Sequence, residues 1–433
     1  MTTSMDKLRT VWESVKPDTK RKAIRWWVVC HIIITVLTVV QPYRAPGDPI
    51  YWFGQIYGLF HGVAPSQVLP EYPTPVLWVL SFLFILSFGN LIAFGVIIIL
   101  VALATDLVFS LVLWRAAKHT GVDPSIPLAF WCLVTLALGG VTYFRLDLLS
   151  AMAGACAALA LLRASPAISG VSLGIGSALK LWPSVLLPAA LGNKKQLLRT
   201  VVACVLTGGG LAVISWAYAG WDRLFSPLHW QSGRGLQIES VWASPLMLDR
   251  LFHPASYDIA NSAYHSWEIT GPGVPQMLQL SDLSTIVGYV IIAGLYVTWF
   301  ALVRQRTIHQ GLLLMTIATV IMIVTSRAFS PQYIIWFACP VAALFCLPTD
   351  RRLRRISLQA AVWTLVAAVL TQIEYPTLYA NLLTYDNLTW FVTTIVVIRN
   401  LLLLAFLIWS AVHAIRSIVA SHRQENLHVG LAS

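Results

Sequence analysis

One acidic residue occupies an unusual place in this sequence. Asp48 lies between Gly47 and Pro49, in the first polar stretch after the first long apolar run, and only 18 of the 433 residues are acidic. A carboxylate beside apolar surroundings is costly unless it is used, so Asp48 is our candidate for a general base. The structural alternative is a helix N-cap, because Asp is favoured there and Pro is favoured at the first helical position.

Three basic residues are candidates for binding an anionic group such as a phosphate. They are Arg145, Lys180 and Arg234, the last of which lies between two glycines. Arginine binds phosphate through a fork of N–H groups, and lysine binds it as a compact charge. Asp147 follows Arg145 at a spacing that does not bring helical side chains face to face, so separate partners are expected. The alternatives are interfacial charge at Arg145, a snorkelling Lys180 and a solvated loop around Arg234.

Amide and aromatic side chains lie close in sequence to these charged residues. Amides can bind sugar hydroxyl groups, and aromatic rings can stack on sugar faces. The candidate substrate-binding residues are Tyr51, Trp52, Asp147, Gln237, Glu239, Gln332 and Tyr333. The aromatic residues have a structural alternative, because Tyr and Trp also favour the membrane interface.

The elements that position these residues are predicted to be membrane-spanning helices. The chain is 58% hydrophobic and 11% charged, with a mean hydropathy of +0.73, whereas a soluble domain carries about 25% charged residues. Apolar runs of about 20 residues recur along the chain, which is the length that crosses about 30 Å of hydrocarbon. Their non-alternating composition favours helices over a β-barrel. The sequence therefore predicts an all-α polytopic membrane protein.

The basic residues cluster in short segments between the apolar runs. The net charge is +11, and clusters occur at 20–22, 194–195, 304–306 and 351–355. The positive-inside rule places such segments in the cytoplasm, so we interpret the charge as topological and expect no nucleic-acid partner. The six cysteines lie in apolar segments without a Cys-x-x-Cys pair and are interpreted as small buried side chains.

The sidedness of the middle of the chain depends on the run 74–88. This run has about 15 residues and begins with Pro73-Thr74-Pro75. If it spans the membrane, Arg115 and Lys118 lie outside; if it is a juxtamembrane helix on the outer face, they lie inside. We favour the juxtamembrane helix. A consequence of this choice, which supports it, is that the scarce polar residues outside the basic loops fall on one membrane face.

The resulting prediction is a single integral membrane domain over residues 1–433 with about 12 transmembrane helices. Residues 1–23 form a cytoplasmic N-terminal segment, followed by an uncleaved apolar anchor. Residues 43–90 form a first periplasmic loop with juxtamembrane helices, and 217–282 form a large periplasmic loop that caps the domain. Residues 414–433 form a cytoplasmic tail.

The ordered set of motifs resembles the multi-span glycosyltransferases of the GT-C superfamily, and most of all family 87. That family comprises polyprenol-phosphate-mannose-dependent α-mannosyltransferases of the actinobacterial type. The motifs are Asp48 with Tyr51, Tyr72-Pro73-Thr74-Pro75, Arg145-x-Asp147, Lys180-Leu181-Trp182-Pro183, Arg234-Gly235-Leu236-Gln237-Ile238-Glu239-Ser240 and Ser330-Pro331-Gln332-Tyr333. They are spread over most of the chain and keep the family's order.

The resemblance implies a GT-C fold and a mannosyl transfer on the outer face of the plasma membrane. Asp48 would deprotonate an acceptor hydroxyl, which attacks a polyprenyl-phosphate sugar with inversion. Lys180, Arg234 and Arg145 would bind the donor phosphate, and the acceptor would be a cell-envelope glycolipid or lipoglycan. No cofactor is expected. Many superfamily members carry a second acid in the first loop, and its absence beside Asp48 argues against a divalent metal.

Two other functions are alternatives: one fits the sequence equally well and the other fits it less well. An arabinosyltransferase that uses polyprenyl-phosphate arabinose is not distinguished from a mannosyltransferase by these residues. A lipid-linked sugar transporter is disfavoured, because transporters show repeated halves and ionisable groups near the bilayer midplane. No Walker A loop, dinucleotide-binding glycine pattern, His-Glu-x-x-His or Gly-x-Ser-x-Gly is present, so nucleotide-driven chemistry is not expected.

Overall fold

The computed structural model describes residues 16–40, 47–191, 194–348 and 350–430. Most of the predicted N-terminal segment, residues 41–46 of the first polar stretch and the end of the predicted tail lie outside the described residues. The same is true of the side chains in the predicted basic cluster 194–195. The described chain is built almost entirely of helices.

The sixteen α-helices of the described chain follow one another with short connections, and one two-stranded hairpin interrupts them. In chain order they are α1 (Lys20–Val40), α2 (Gly47–Phe60), α3 (Thr74–Leu86), α4 (Leu91–Thr120), α5 (Ser125–Leu138), α6 (Asp147–Leu162), α7 (Pro166–Leu179), α8 (Lys194–Cys204), α9 (Gly210–Gly233), α10 (Ser244–Phe252), β1 (Asp258–Asn261), β2 (Trp267–Thr270), α11 (Val274–Leu302), α12 (Ile308–Thr325), α13 (Ile334–Leu344), α14 (Arg351–Gln372), α15 (Tyr379–Leu383) and α16 (Thr389–Gly430). The prediction of an all-α polytopic membrane protein is confirmed.

Eight helical segments of the described chain are long and apolar enough to cross a membrane. They are Lys20–Val40, Leu91–Thr120, Ser125–Thr142, Gln196–Gly233, Val274–Leu302, Ile308–Thr325, Arg351–Thr377 and Thr389–Leu427. Four shorter apolar helices accompany them: Thr74–Leu86, Asp147–Leu162, Pro166–Leu179 and Pro331–Leu344. Between α7 and α8 the chain forms two 3₁₀ turns, Trp182–Leu186 and Pro188–Ala190. Pro183 and Pro188 lack the N–H groups that an α-helix needs there.

The core of the bundle consists of α12 and α13 with α5, α6 and α14 around them. Almost every side chain of α12 and α13 is buried. Small residues permit close helix contact on α6 and α7. A Cβ atom on Gly154 would lie 2.6 Å from Leu186 Cδ1, and one on Gly174 would lie 2.7 Å from Thr207 Cβ. Close approach of this kind is how membrane helices gain packing energy without a hydrophobic driving force.

A buried carboxylate joins three spanning segments. Asp106 of α4 is fully buried and accepts hydrogen bonds from the indole of Trp27 at 3.0 Å, the hydroxyl of Tyr143 at 3.0 Å and the indole of Trp131. His31 Nε2 lies 2.7 Å from the same carboxylate. Both oxygens of this carboxylate therefore have partners inside the protein, which offsets the cost of placing it in the bundle.

Two breaks bring the segment after α9 to one end of the bundle. Gly220 adopts φ 78° and ψ −176° inside α9, a conformation that a residue without Cβ tolerates, and the helix changes direction there. Beyond Arg234 the chain is extended and runs along β2, with Ile238 N–H donating to Trp267 O at 3.1 Å. Strands β1 and β2 pair antiparallel, with Ile259 opposite Ile269.

We expect the end of α4 to lie on the cytoplasmic side. Helix α3 has 13 residues and is about 20 Å long, too short to cross the bilayer. Helix α4 is then the next segment that crosses the membrane. In right-side-out membrane vesicles, Lys118→Cys should resist an impermeant maleimide, whereas Ala263→Cys between β1 and β2 should react.

The wild-type protein is labelled in the same assay to measure the background reaction of its native cysteines. Permeabilised vesicles should expose Lys118→Cys, which establishes that the cysteine is reactive. Equal labelling of both variants in sealed vesicles would contradict the juxtamembrane position of α3.

Candidate active site

A polar cavity of about 240 Å³ opens where the extended segment, the hairpin and the helix ends meet. Its lining combines acids, arginines, amides and aromatic rings from six separate parts of the chain. The lining residues are Asp48, Tyr51, Arg145, Arg234, Gln237, Glu239, Asn261, His265, Ser266, Trp267, Ser330, Pro331, Gln332, Tyr375 and Tyr379. Charged and hydrogen-bonding groups thus converge on a space of limited size.

Asp48 forms an ion pair with Arg145 at the edge of this cavity. Asp48 is in the first turn of α2, where the helix dipole favours an acid. Arg145 also donates to the hydroxyl of Tyr375 at 3.3 Å. Both side chains of the ion pair keep partial solvent exposure, 27% for Asp48 and 15% for Arg145. The carboxylate is therefore held by one partner while it remains accessible from the cavity.

Tyr51 links the cavity to a second acid of the first loop. Tyr51 interacts electrostatically with Glu71, and burial raises the pKa of Glu71. Burial also raises the pKa of Tyr51, with the charge of Glu71 as a further cause. On its other side, Tyr51 lies 4.2 Å from His265, centroid to centroid. Burial lowers the pKa of His265, which favours its neutral form.

A second cluster of charged groups lies beside the cavity. Lys180 Nζ is 2.6 Å from Asp147 Oδ1, and the Trp336 indole donates to the same oxygen at 2.8 Å. The Lys180 ammonium also lies 5.6 Å from the ring centroids of Tyr333 and Trp336. Lys180 caps the end of α7 in an extended conformation rather than lying inside the helix, because the following turn begins at Trp182-Pro183.

Hydrogen bonds from within the bundle fix the segment that carries Gln237 and Glu239. The Gln237 side chain accepts from the Phe329 N–H at 2.6 Å and donates to Glu239 at 2.8 Å. Arg399 and Asn400 of α16 donate to the Glu239 carbonyl oxygen at 2.8 Å and 3.2 Å. The cavity wall is therefore attached directly to a spanning helix.

Arg399 interacts with two buried acidic residues. It forms an ion pair with Glu374, and both side chains are fully buried. Glu239, 1% exposed, is the second acid of this group. Burial raises the pKa of Glu239 well above its usual range, and the charge of Glu374 raises it further. One guanidinium balances one carboxylate, so the other carboxyl group favours its protonated form.

Comparison with known proteins identifies the family. The family description Glycosyltransferase family 87 matches residues 71–331, which is more than half of the chain. The chain belongs to glycosyltransferase family 87. The resemblance to family 87 drawn from the motifs is confirmed, and the protein is a multi-pass membrane glycosyltransferase. The matched range begins after Asp48 and ends before Gln332, so it includes neither.

The family 87 protein is also similar to a solved structure of a protein bound to a lipid phosphate. ArnT from Cupriavidus metallidurans bound to undecaprenyl phosphate has 15% sequence identity and a TM-score of 0.47 over 90% of this chain and 77% of that chain. No curated protein matches the sequence.

Seven of the eleven predicted site residues of this family 87 member line the cavity. They are Asp48, Tyr51, Arg145, Arg234, Gln237, Glu239 and Gln332. Lys180, Asp147 and Tyr333 belong to the second cluster instead. Trp52 lies in the core beneath α2, where it is completely buried. The roles of all eleven stay predictions.

Six cavity residues were neither among the predicted site residues nor part of the motifs quoted from the sequence. They are Asn261, His265, Ser266, Trp267, Tyr375 and Tyr379. The hairpin residues carry no distinctive spacing, and only pairing with segment 236–238 brings them to the cavity. Arg399 was also missed, although an arginine inside the long apolar run after Thr389 is a recognisable signal, because such residues are costly in a membrane.

The buried acids predict how the thermal stability of the protein depends on pH. Because the folded state raises the pKa of Glu239 above its unfolded value, folding takes up a proton there. Stability contributed by this group should be largest near or below the usual glutamate pKa and should fall as pH rises. We expect the melting temperature in neutral detergent to decrease between about pH 5 and pH 8.

Glu239→Gln should flatten this pH dependence, because an amide replaces the protonated carboxyl without titrating. Glu268→Gln in the neighbouring hairpin is the matched control and should keep the wild-type profile. An unchanged slope in Glu239→Gln would contradict the assignment.

Proposed function

We propose that this family 87 protein transfers a mannosyl residue from polyprenyl-phosphate mannose to a cell-envelope glycolipid or lipoglycan. The reaction takes place on the outer face of the plasma membrane and inverts the anomeric configuration. The observation that carries the proposal is the convergence of one accessible carboxylate, Asp48, and two arginines, Arg145 and Arg234, on a single cavity.

The size and chemistry of the cavity suit one sugar joined to a phosphate. At about 240 Å³ it is smaller than the roughly 300–1,000 Å³ of pockets that hold drug-sized ligands. Gln237, Gln332 and Asn261 offer amides for hydroxyl groups, and Trp267 and Tyr379 offer aromatic faces. The two arginines supply hydrogen bonds to phosphate oxygens. These features support a phosphate-linked monosaccharide as donor.

The proposed reaction is a single displacement at the anomeric carbon. The acceptor hydroxyl oxygen bonds to that carbon while the bond from the carbon to the phosphate oxygen breaks. The hydroxyl proton passes to the Asp48 carboxylate, and the electron pair of the broken bond leaves with polyprenyl phosphate. Arg145 and Arg234 stabilise the charge that develops on this leaving group.

In this scheme the Asp48–Arg145 ion pair belongs to the substrate-free state. A donor phosphate competes for the Arg145 guanidinium, so donor binding weakens the hold on Asp48 and leaves the carboxylate available as base. Lys180, paired with Asp147 across 33 residues of sequence, adds a further cation in the second cluster. It supports the donor phosphate from the neighbouring cluster in the same way.

The proposal is tested by giving the purified full-length protein labelled polyprenyl-phosphate mannose and, separately, polyprenyl-phosphate arabinose. The acceptor mixture is an extract of envelope glycolipids. Product carrying mannose is expected. Product carrying arabinose alone would replace the sugar assignment while leaving the polyprenyl-phosphate chemistry in place, and no transfer from either donor would overturn the donor class.

Replacement of Asp48 by Asn should abolish transfer without unfolding the protein. The amide keeps the shape of the side chain but accepts no proton, so we expect turnover to fall by about 10²–10⁴-fold. The Michaelis constant for the donor should change much less, because the substitution affects a proton transfer in the transition state. Initial rates and the melting temperature are measured on the same preparations.

Asp258→Asn is the matched control for the loss of one acid, since Asp258 is exposed on β1 and does not line the cavity. It should keep wild-type turnover. Wild-type-like turnover in Asp48→Asn itself would remove Asp48 from the role of base.

A further inference from the structure

A second cavity, of about 340 Å³, lies between α14 and α16 far from the candidate active site. It is lined by the first turns of α14 and by the later part of α16. The lining residues are Arg351, Arg352, Arg355, Ile356, Gln359, His413 and Arg416. Helix α14 has 22 residues, so the basic cavity lies about 33 Å from its other end, where Tyr375 reaches the active-site cavity.

The charges of this cavity are not balanced by the protein. Its lining contains four arginines and a histidine and no acid. Within the described part of the chain, Arg351, Arg352, Arg355 and Arg416 form no ion pair. The neighbouring Asp350 carboxylate already caps α14, accepting from the Leu353 N–H at 2.7 Å. An anionic ligand would therefore find several unpaired guanidinium groups in one place.

The position of three of these arginines in the helix strengthens the argument. Arg351, Arg352 and Arg355 lie in the first two turns of α14, where the helix dipole is positive and cations are unfavourable. Positive loop charge alone explains their presence at the membrane surface. It does not explain why Arg416, from a helix distant in sequence, lines the same cavity.

Apolar side chains continue from the cavity along both helices. On α14, Val362, Val366 and Val369 follow Arg355 and Gln359 at helical spacing and are 60%, 40% and 46% exposed. On α16, Ile408 and Leu401 precede Arg416 on a similar stripe and are 66% and 59% exposed. A ligand that placed a phosphate among the arginines would therefore meet apolar surface along the helices, as the acyl chains of a lipid require.

We propose that this cavity is a binding site for the headgroup of an anionic phospholipid. Arg352, Arg355 and Arg416 bind the phosphate, and the acyl chains lie on the apolar stripes of α14 and α16. Basic pockets between membrane helices are suited to such headgroups. The site is separate from the glycosyl donor site, and the inference does not rest on the proposed function.

The test measures lipid bound to the purified full-length protein. The protein is reconstituted in nanodiscs of phosphatidylcholine with increasing phosphatidylglycerol, extracted gently, and analysed by native mass spectrometry. We expect the wild type to retain phosphatidylglycerol over phosphatidylcholine. The triple variant Arg352→Gln/Arg355→Gln/Arg416→Gln should bind it about a hundredfold more weakly, since each basic residue contributes independently to attraction for anionic lipid.

The matched control, Arg354→Gln/Arg423→Gln/Arg25→Gln, removes the same charge from basic residues outside the cavity. It should stay within about twofold of the wild type. Equal losses in both triple variants would show general surface attraction and overturn the site.

Glycerol phosphate, which lacks acyl chains, should compete poorly with the phospholipid. Full competition at millimolar concentration would assign the cavity to free phosphate compounds instead. If the triple variant does not fold, Arg416→Gln alone should still weaken binding about fivefold, and an unchanged affinity would overturn the proposal.

Discussion

Arg399 makes the ion pair and the hydrogen bonds on which the cavity end of this structure depends. It is fully buried, pairs with Glu374 and donates to the Glu239 backbone. Its charged group also lies 4.2 Å from the ring centroid of Phe329. Removal of one member of a buried ion pair generally costs about 3–5 kcal/mol, because the other charge is left without a partner. The position of the site therefore depends on a buried charged side chain that belongs to a membrane-spanning helix.

The same constraint explains how so polar a cavity is held rigid. Asn400, the next residue of α16, donates to the carbonyl oxygens of Glu239 and Ser240 and to the Ser244 hydroxyl at 2.8–3.2 Å. These bonds satisfy backbone groups that an extended segment would otherwise leave unpaired. The opposite wall is fixed by apolar packing, since Trp52 and Ile56 anchor α2 beneath Asp48. Polar and apolar contacts thus hold the two sides of one cavity.

The sequence was sufficient for features that depend on local pattern and insufficient for those that depend on distant pairing. Apolar runs predicted the helices, because a membrane-spanning helix satisfies its own backbone and needs little else. Asp48, Arg145 and Arg234 were identifiable as scarce charges. Their arrangement could not be identified from the sequence, because Arg145 and its partner Asp48 are 97 residues apart.

The hairpin and the basic cavity illustrate the second kind of limit. His265 and Trp267 have ordinary sequence surroundings, and they reach the cavity only because β2 pairs with segment 236–238. The arginines of 351–355 were interpreted as loop charge, which explains their number but not their convergence with Arg416. In both cases the information lies in the packing of two segments, and neither segment alone contains it.

The electrostatic balance of the active-site cavity favours the ligand that the arginines indicate. Arg145 and Arg234 carry two positive charges, and Asp48 carries one negative charge. Burial raises the pKa of Glu239 and so reduces its negative charge, while burial lowers the pKa of His265 and keeps it neutral. The cavity is then left with a net positive charge. A phosphodiester carries one negative charge, so a sugar linked to a lipid phosphate neutralises the cavity, whereas a neutral sugar would leave a guanidinium without a partner.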